Sequence, residues 1–135
     1  MEYLIDSDAS IDYLHLDPEA TAWVESLVPA GVSISIVTLM ESYQGTFREP
    51  DPIASQEHYA EYLRGIPVLP FSERSTKRCA NLRHELWKQG KRVRPRALDM
   101  MIAAAAMEHG LTLVTRNRSD YQDIPGLNLA QQPPN

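Results

Sequence analysis

The chain has 135 residues, 43% apolar and 23% charged, which suits one compact globular domain and excludes a disordered or collagen-like chain. No run of about 18 uninterrupted apolar residues occurs, so no membrane span is expected, and acids at Glu2, Asp6 and Asp8 replace the basic start of a signal peptide. The net charge of −5 argues against coating nucleic acid through bulk charge, and Cys79, being alone, cannot form an internal disulfide, so a reducing cytoplasm is the expected setting.

Tyr3-Leu4-Ile5 reads as a short buried strand, followed by a helical stretch around Ser10–Leu14. Asp17-Pro18 has the form of an N-cap with proline in the first turn and opens a helix to about Leu27, ended by Pro29-Ala30-Gly31. Val32, Ile34 and Ile36 alternate with Ser33 and Ser35, the period of a strand. A helix carrying Leu39, Glu41 and Tyr43 is expected to begin at Thr38. The segment Phe47–Pro52 reads as a loop, and about Ser55–Leu63 as a helix. Ile66–Pro70 must be a short strand at an edge, because proline cannot donate to a ladder. Ser72 caps a helix running to Gln89, with Gly90 as its stop, and a basic loop, Lys91–Arg96, leads into a buried Ala-rich helix over Leu98–His109. Leu111–Thr115 is the fourth strand, and Leu127–Leu129 a candidate fifth. No repeat or linker divides the chain: one domain is expected over residues 1–130, with a loose tail over 131–135 marked by Pro133-Pro134.

Strands alternating with helices imply an α/β fold: a parallel central sheet of four to five strands with helices on both faces. Ligands in such folds sit beyond the carboxyl ends of the strands. Asp6 directly follows the first strand, Glu41 lies one helical turn past the second, Asp99 opens the buried helix, and Asn117 and Asp120 follow the fourth strand. Carboxylates gathered in a small volume repel unless a cation intervenes, and hard divalent ions prefer oxygen ligands. Such a site suits phosphodiester hydrolysis.

Each acid also has a structural reading. Thr38-x-x-Glu41 matches a capping box, Asp99 complements a helix dipole, Asp8 can cap a helix, Asp12 sits on a solvated face, and Asp120 and Asp123 are loop acids. The four histidines are scattered without metal-ligand spacing. Nine of the thirteen Lys and Arg residues fall between Arg74 and Arg96, either a solvated helix face with its loop or a local cradle for phosphates.

Taken in order, the motifs resemble the PIN domain of VapC-type toxins. Tyr-Leu-Ile-Asp-Ser-Asp (3–8) is similar to that family's opening, Ile-Ser-Ile-Val-Thr-Leu-Met-Glu-Ser-Tyr-Gln-Gly (34–45) to its second acidic motif, and Leu-Asp-Met-Met-Ile-Ala-Ala-Ala-Ala (98–106) to its third. Gly-Leu-Thr-Leu-Val-Thr-Arg-Asn-Arg-Ser-Asp-Tyr (110–121), followed by Ile-Pro-Gly-Leu, closes the pattern. The resemblance implies a three-layer PIN-like fold and a metal-dependent endoribonuclease, usually a homodimer. It also implies a cognate antitoxin whose C-terminal segment covers the active site.

Asp6, Glu41 and Asp99 would form its acidic cluster, with Asp6 and Asp99 the direct ligands of Mg²⁺, or of Mn²⁺ in its place. The chain departs from the pattern twice: Asn117 stands where many PIN domains carry Asp, and Asp8 where Asn is common. The Asn117 carbonyl, or Asp120, would then complete the cluster. Two rival readings exist. Leu-Ile-Asp-Ser-Asp also resembles the nucleophile motif of haloacid-dehalogenase-like phosphatases, although Leu113–Asn117 lacks their late acidic pair. A degenerate PIN-like or receiver-like module would bind a partner without cutting.

Overall fold

The computed structural model describes residues 1–132; the tail expectation at Pro133-Pro134 lies outside them. Among the described residues four short parallel strands, β1 (Tyr3–Ile5), β2 (Val32–Ser35), β3 (Val68–Leu69) and β4 (Thr112–Val114), are ordered β3-β2-β1-β4. β1 is central: Tyr3 is in register with Val32 on one side and Thr112 on the other. β3 is the proline-flanked edge that the sequence requires.

Side-chain alternation along these strands creates two cores. Leu4 and Leu113 point into one, with Leu82 and Leu86 of α5 (Glu73–Lys88) and the fully buried Ala103, Ala104, Ala105 and Ala106 of α6 (Ala97–Glu108). Ile5, Ile34 and Val114 point into the other, where Ala9 of α1 (Ser7–Leu14) and Trp23 and Val24 of α2 (Pro18–Leu27) cover them. The sheet is thus sandwiched between helical layers, and the run of alanines is what lets α6 approach its neighbours on every side. Two further helices, α3 (Ile36–Thr46) and α4 (Pro52–Tyr62), complete the order.

The turn into β2 depends on Gly31. Its φ is +95°, and a Cβ there would stand 2.6 Å from the Met1 Cα, so a side chain meets both backbone strain and a clash.

Several boundaries differ from expectation, each for a capping reason. α1 begins at Ser7, because Asp6, not Asp8, is its N-cap and accepts from the Ala9 N–H. β2 stops at Ser35, which caps α3 by accepting from the Thr38 N–H at 3.1 Å, so Ile36 is helical although it continues the alternation. Thr38 therefore lies inside the helix, and the capping-box reading of Glu41 falls. Asp51 caps α4, drawing Pro52 out of the expected loop and into the first turn. The candidate fifth strand reduces to one parallel bridge, Leu113 to Leu129. No helix is long and apolar enough to cross a membrane among the described residues.

Candidate active site

Because all four strands run parallel, their carboxyl ends open on one edge of the sheet. Asp6 sits at that edge as both the end of β1 and the cap of α1. Its N–H donates to the Val114 carbonyl at 3.0 Å, and its Oδ1 accepts from the Ala9 N–H at 2.9 Å. Only 2% of the residue is exposed. Burial pushes its carboxyl up to about 7, against hydrogen bonds from Thr115 and Ala9, and the negative charges of Asp8 and Asp99 push the same way.

Asp99 occupies the first turn of α6. Burial raises its carboxyl too, and the charges of Asp120, Glu41 and Asp8 add to the shift, while a hydrogen bond from Tyr121 opposes it. These mutual effects show that Asp6, Asp8, Glu41, Asp99 and Asp120 share one electrostatic neighbourhood, although they come from four separate stretches of the chain. Glu41 is half-buried on α3 and accepts a 2.6 Å hydrogen bond from the Ser7 hydroxyl. Among the described residues no three carboxylates are drawn close enough together to chelate one ion.

Two residues of this cluster carry signals that sequence reasoning overlooked. Ser7 lies between two acids of the opening motif, and its hydroxyl reaches both Glu41 and, at 3.3 Å, Thr38. Tyr121 is 2% exposed, and its hydroxyl donates to Asp99 Oδ1 at 3.2 Å. Its position directly after Asp120 was the available clue. Asn117 and Asp120 are both exposed beside the cluster. The Asn117 N–H donates to Thr115 Oγ1 at 3.0 Å, its side-chain amide donates to Asp8, and the Asp120 carbonyl accepts from Arg96.

Ion pairs frame the site. Arg116 reaches Asp12 at 3.0 Å, Asp17 at 2.9 Å and Glu19 at 3.2 Å, tying the segment after β4 to α1 and α2. Asp12, expected on a solvated face, is thus a structural partner. Asp123, expected as a loop acid, binds Arg96 at 2.6 and 2.9 Å and Lys91 at 2.9 Å. The Arg96 hydrogen bonds, chiefly, hold its carboxyl down to about 2. Two of the nine clustered cations are therefore spent fixing the segment before α6. Arg92 and Arg94 in that segment are exposed and form no ion pair among the described residues. All four histidines are exposed, and none belongs to the cluster.

Comparison with known proteins places this geometry in context. The sequence matches the family model described as "PIN domain" over residues 3–127. It is 26% identical over 129 residues to the tRNA(fMet)-specific endonuclease VapC of Salmonella typhimurium, covering 96% of both chains. The fold superposes with a TM-score of 0.86 on a chain of VapBC2 from Rickettsia felis bound to a promoter DNA fragment, at 25% identity and over 96% of this chain and 98% of that one. It matches DNA-bound VapBC from Salmonella typhimurium equally well, with a TM-score of 0.86, 26% identity, and 96% and 97% of the two chains covered.

Proposed function

Because the chain belongs to the PIN-domain family, we propose that it is a divalent-metal-dependent endoribonuclease, the toxin of a toxin–antitoxin pair. The observation that carries this reading is the convergence of Asp6, Glu41 and Asp99 at the carboxyl edge of the sheet, with Asp6 buried so that its charged form is penalised. Relatives named as endonucleases and neighbours solved as VapBC complexes support the ribonuclease activity and an antitoxin partner. Family membership also sets aside the phosphatase reading of the opening motif.

The donor set fits a hard ion: it offers carboxylate oxygens and no sulfur or imidazole, and a cation would relieve the penalty on Asp6. Asp6 and Asp99 would hold Mg²⁺, with Mn²⁺ as a substitute, and Glu41 would complete the set. When bound, the ion supplies neutralising charge for the phosphate and acidifies water near neutral pH.

The protein's own groups do the positioning. Ser7 orients Glu41, Tyr121 orients Asp99, and Thr115 and the Ala9 N–H fix Asp6. Arg92 and Arg94 bind neighbouring phosphates of the RNA, so a basic footprint only a few residues wide suffices on an acidic protein. The antitoxin covers the same acids, for which a basic side chain is electrostatically suited. The protein is a homodimer, as its resemblance to the VapC-type toxins implies. The reaction takes place in the cytoplasm.

The test uses purified protein and a structured RNA with Mg²⁺, with and without EDTA. Cutting should be EDTA-sensitive and abolished by Asp6→Asn. Equal cutting by wild type and variant would overturn the site, and no cutting by either would favour a degenerate binding module.

A further inference from the structure

The two departures from the family pattern, an acid at position 8 and an amide at position 117, turn out to be one pair in space. Asn117 Nδ2 donates a hydrogen bond to Asp8 Oδ2, joining the first turn of α1 to the segment after β4 across 109 positions of sequence. The other Asp8 oxygen takes no hydrogen bond among the described residues. Asn117 is itself anchored, its N–H bonded to the buried Thr115, which also bonds Asp6. The pair is therefore built on the same scaffold as the central acid.

Of the two further acids beside the cluster, Asp8 and Asp120, Asp8 is the one held in place: its carboxylate accepts from the Asn117 amide, whereas no hydrogen bond reaches the Asp120 carboxylate among the described residues. The charge of Asp8 also bears on both Asp6 and Asp99. An amide that spends a donor hydrogen on Asp8 is acting as a holder of the acid.

We propose that Asp8 and Asn117 work as one unit, in which Asp8 supplies the fourth carboxylate of the cation site and Asn117 holds it in place. The site charge lost at 117 is restored at 8, across a single hydrogen bond. This rests on the reading of the cluster as a divalent-metal site.

The experiment measures Mn²⁺ affinity of the full chain by calorimetry, without RNA, for wild type and for Asp8→Asn, Asp120→Asn, Asp99→Asn and the exchange Asp8→Asn/Asn117→Asp. Glu57→Gln, exposed on α4, controls for the loss of one negative charge. Asp8→Asn should weaken binding about tenfold or more, as loss of a supporting group at a metal site does. The exchange should restore it to within about threefold, and Glu57→Gln should leave it unchanged. Asp8→Asn binding like wild type, a loss confined to Asp120→Asn, or an exchange as weak as Asp8→Asn would each overturn the proposal while leaving the metal site standing. Failure of wild type to bind, or equal binding by Asp99→Asn, would instead overturn the metal reading on which it rests.

Discussion

Replacing Asp6 by Asn should destroy activity and yet stabilise the protein. Asn keeps the size of the side chain and can still cap α1, because its carbonyl can accept from the Ala9 N–H. What it removes is the cost of holding a charge in the interior. The Asp6 carboxyl is pushed from its ordinary 3.8 up to about 7. At about 1.4 kcal/mol per pH unit, that separation corresponds to roughly 4 kcal/mol at alkaline pH. The folded chain retains a proton that the unfolded chain releases between these values. The stabilising contribution is therefore complete below about pH 4 and is lost as the pH rises through about 7. Asn does not titrate, so the advantage of the variant should be small near pH 4 and largest near pH 8. Allowing for relaxation around the carboxylate, a gain of about 2–4 kcal/mol remains, or roughly 10 °C in Tm for a chain of this size. Thermal unfolding in EDTA near pH 4.5, 6 and 8 measures it. A variant less stable than wild type near pH 8, or a difference that does not change with pH, would rule out a buried-charge penalty at Asp6. Adding Mg²⁺ should narrow the gap by stabilising wild type alone.

Tyr121→Phe keeps the buried ring but frees Asp99 Oδ1; cleavage should fall about tenfold, with a stability loss of no more than about 1.5 kcal/mol in urea titrations. Arg96→Ala removes both hydrogen bonds to Asp123, and should cost about 1–3 kcal/mol near neutral pH. Since Asp123 is held down to about 2, this pair stabilises above the ordinary carboxylate range, and its contribution is lost as the pH falls through about 2. Unfolding of wild type and Arg96→Ala should therefore converge in acid. Ala104→Leu overfills the fully buried face of α6 and should destabilise by about 1–3 kcal/mol, again read by urea titration.

The three central acids were legible in the sequence because the parallel topology makes each strand end a marked position. Hydrophobic runs locate the strands, and Asp6, Glu41 and Asp99 then fall at one edge without knowledge of any contact. Caps that lie away from the strand ends were equally readable, as Asp17-Pro18, Ser72 and Gly90 show. Boundaries failed where one residue does two jobs. Asp6 directly follows a strand, caps a helix and lies in the acidic cluster, so nothing in its neighbourhood separates the three. Ser35 both continues an alternating strand and caps α3, which hid the true start of that helix and gave Thr38 a role it does not have. The supporting groups stayed hidden for another reason. Tyr121 meets Asp99 across 22 positions, Asn117 meets Asp8 across 109, and Arg116 meets Asp12 across 104. Such partnerships have no local pattern and emerge only when the sheet brings strand ends together.

In the proposed function, acids far apart in the chain hold a divalent cation at the end of the sheet. Diffraction from crystals soaked in Mn²⁺ tests it most directly, because the anomalous signal locates the ion independently of activity. A peak contacted by the carboxylates of Asp6 and Asp99 is the expected result. A well-ordered site with no peak at these acids under saturating Mn²⁺, or a peak bound only by residues elsewhere, would contradict it.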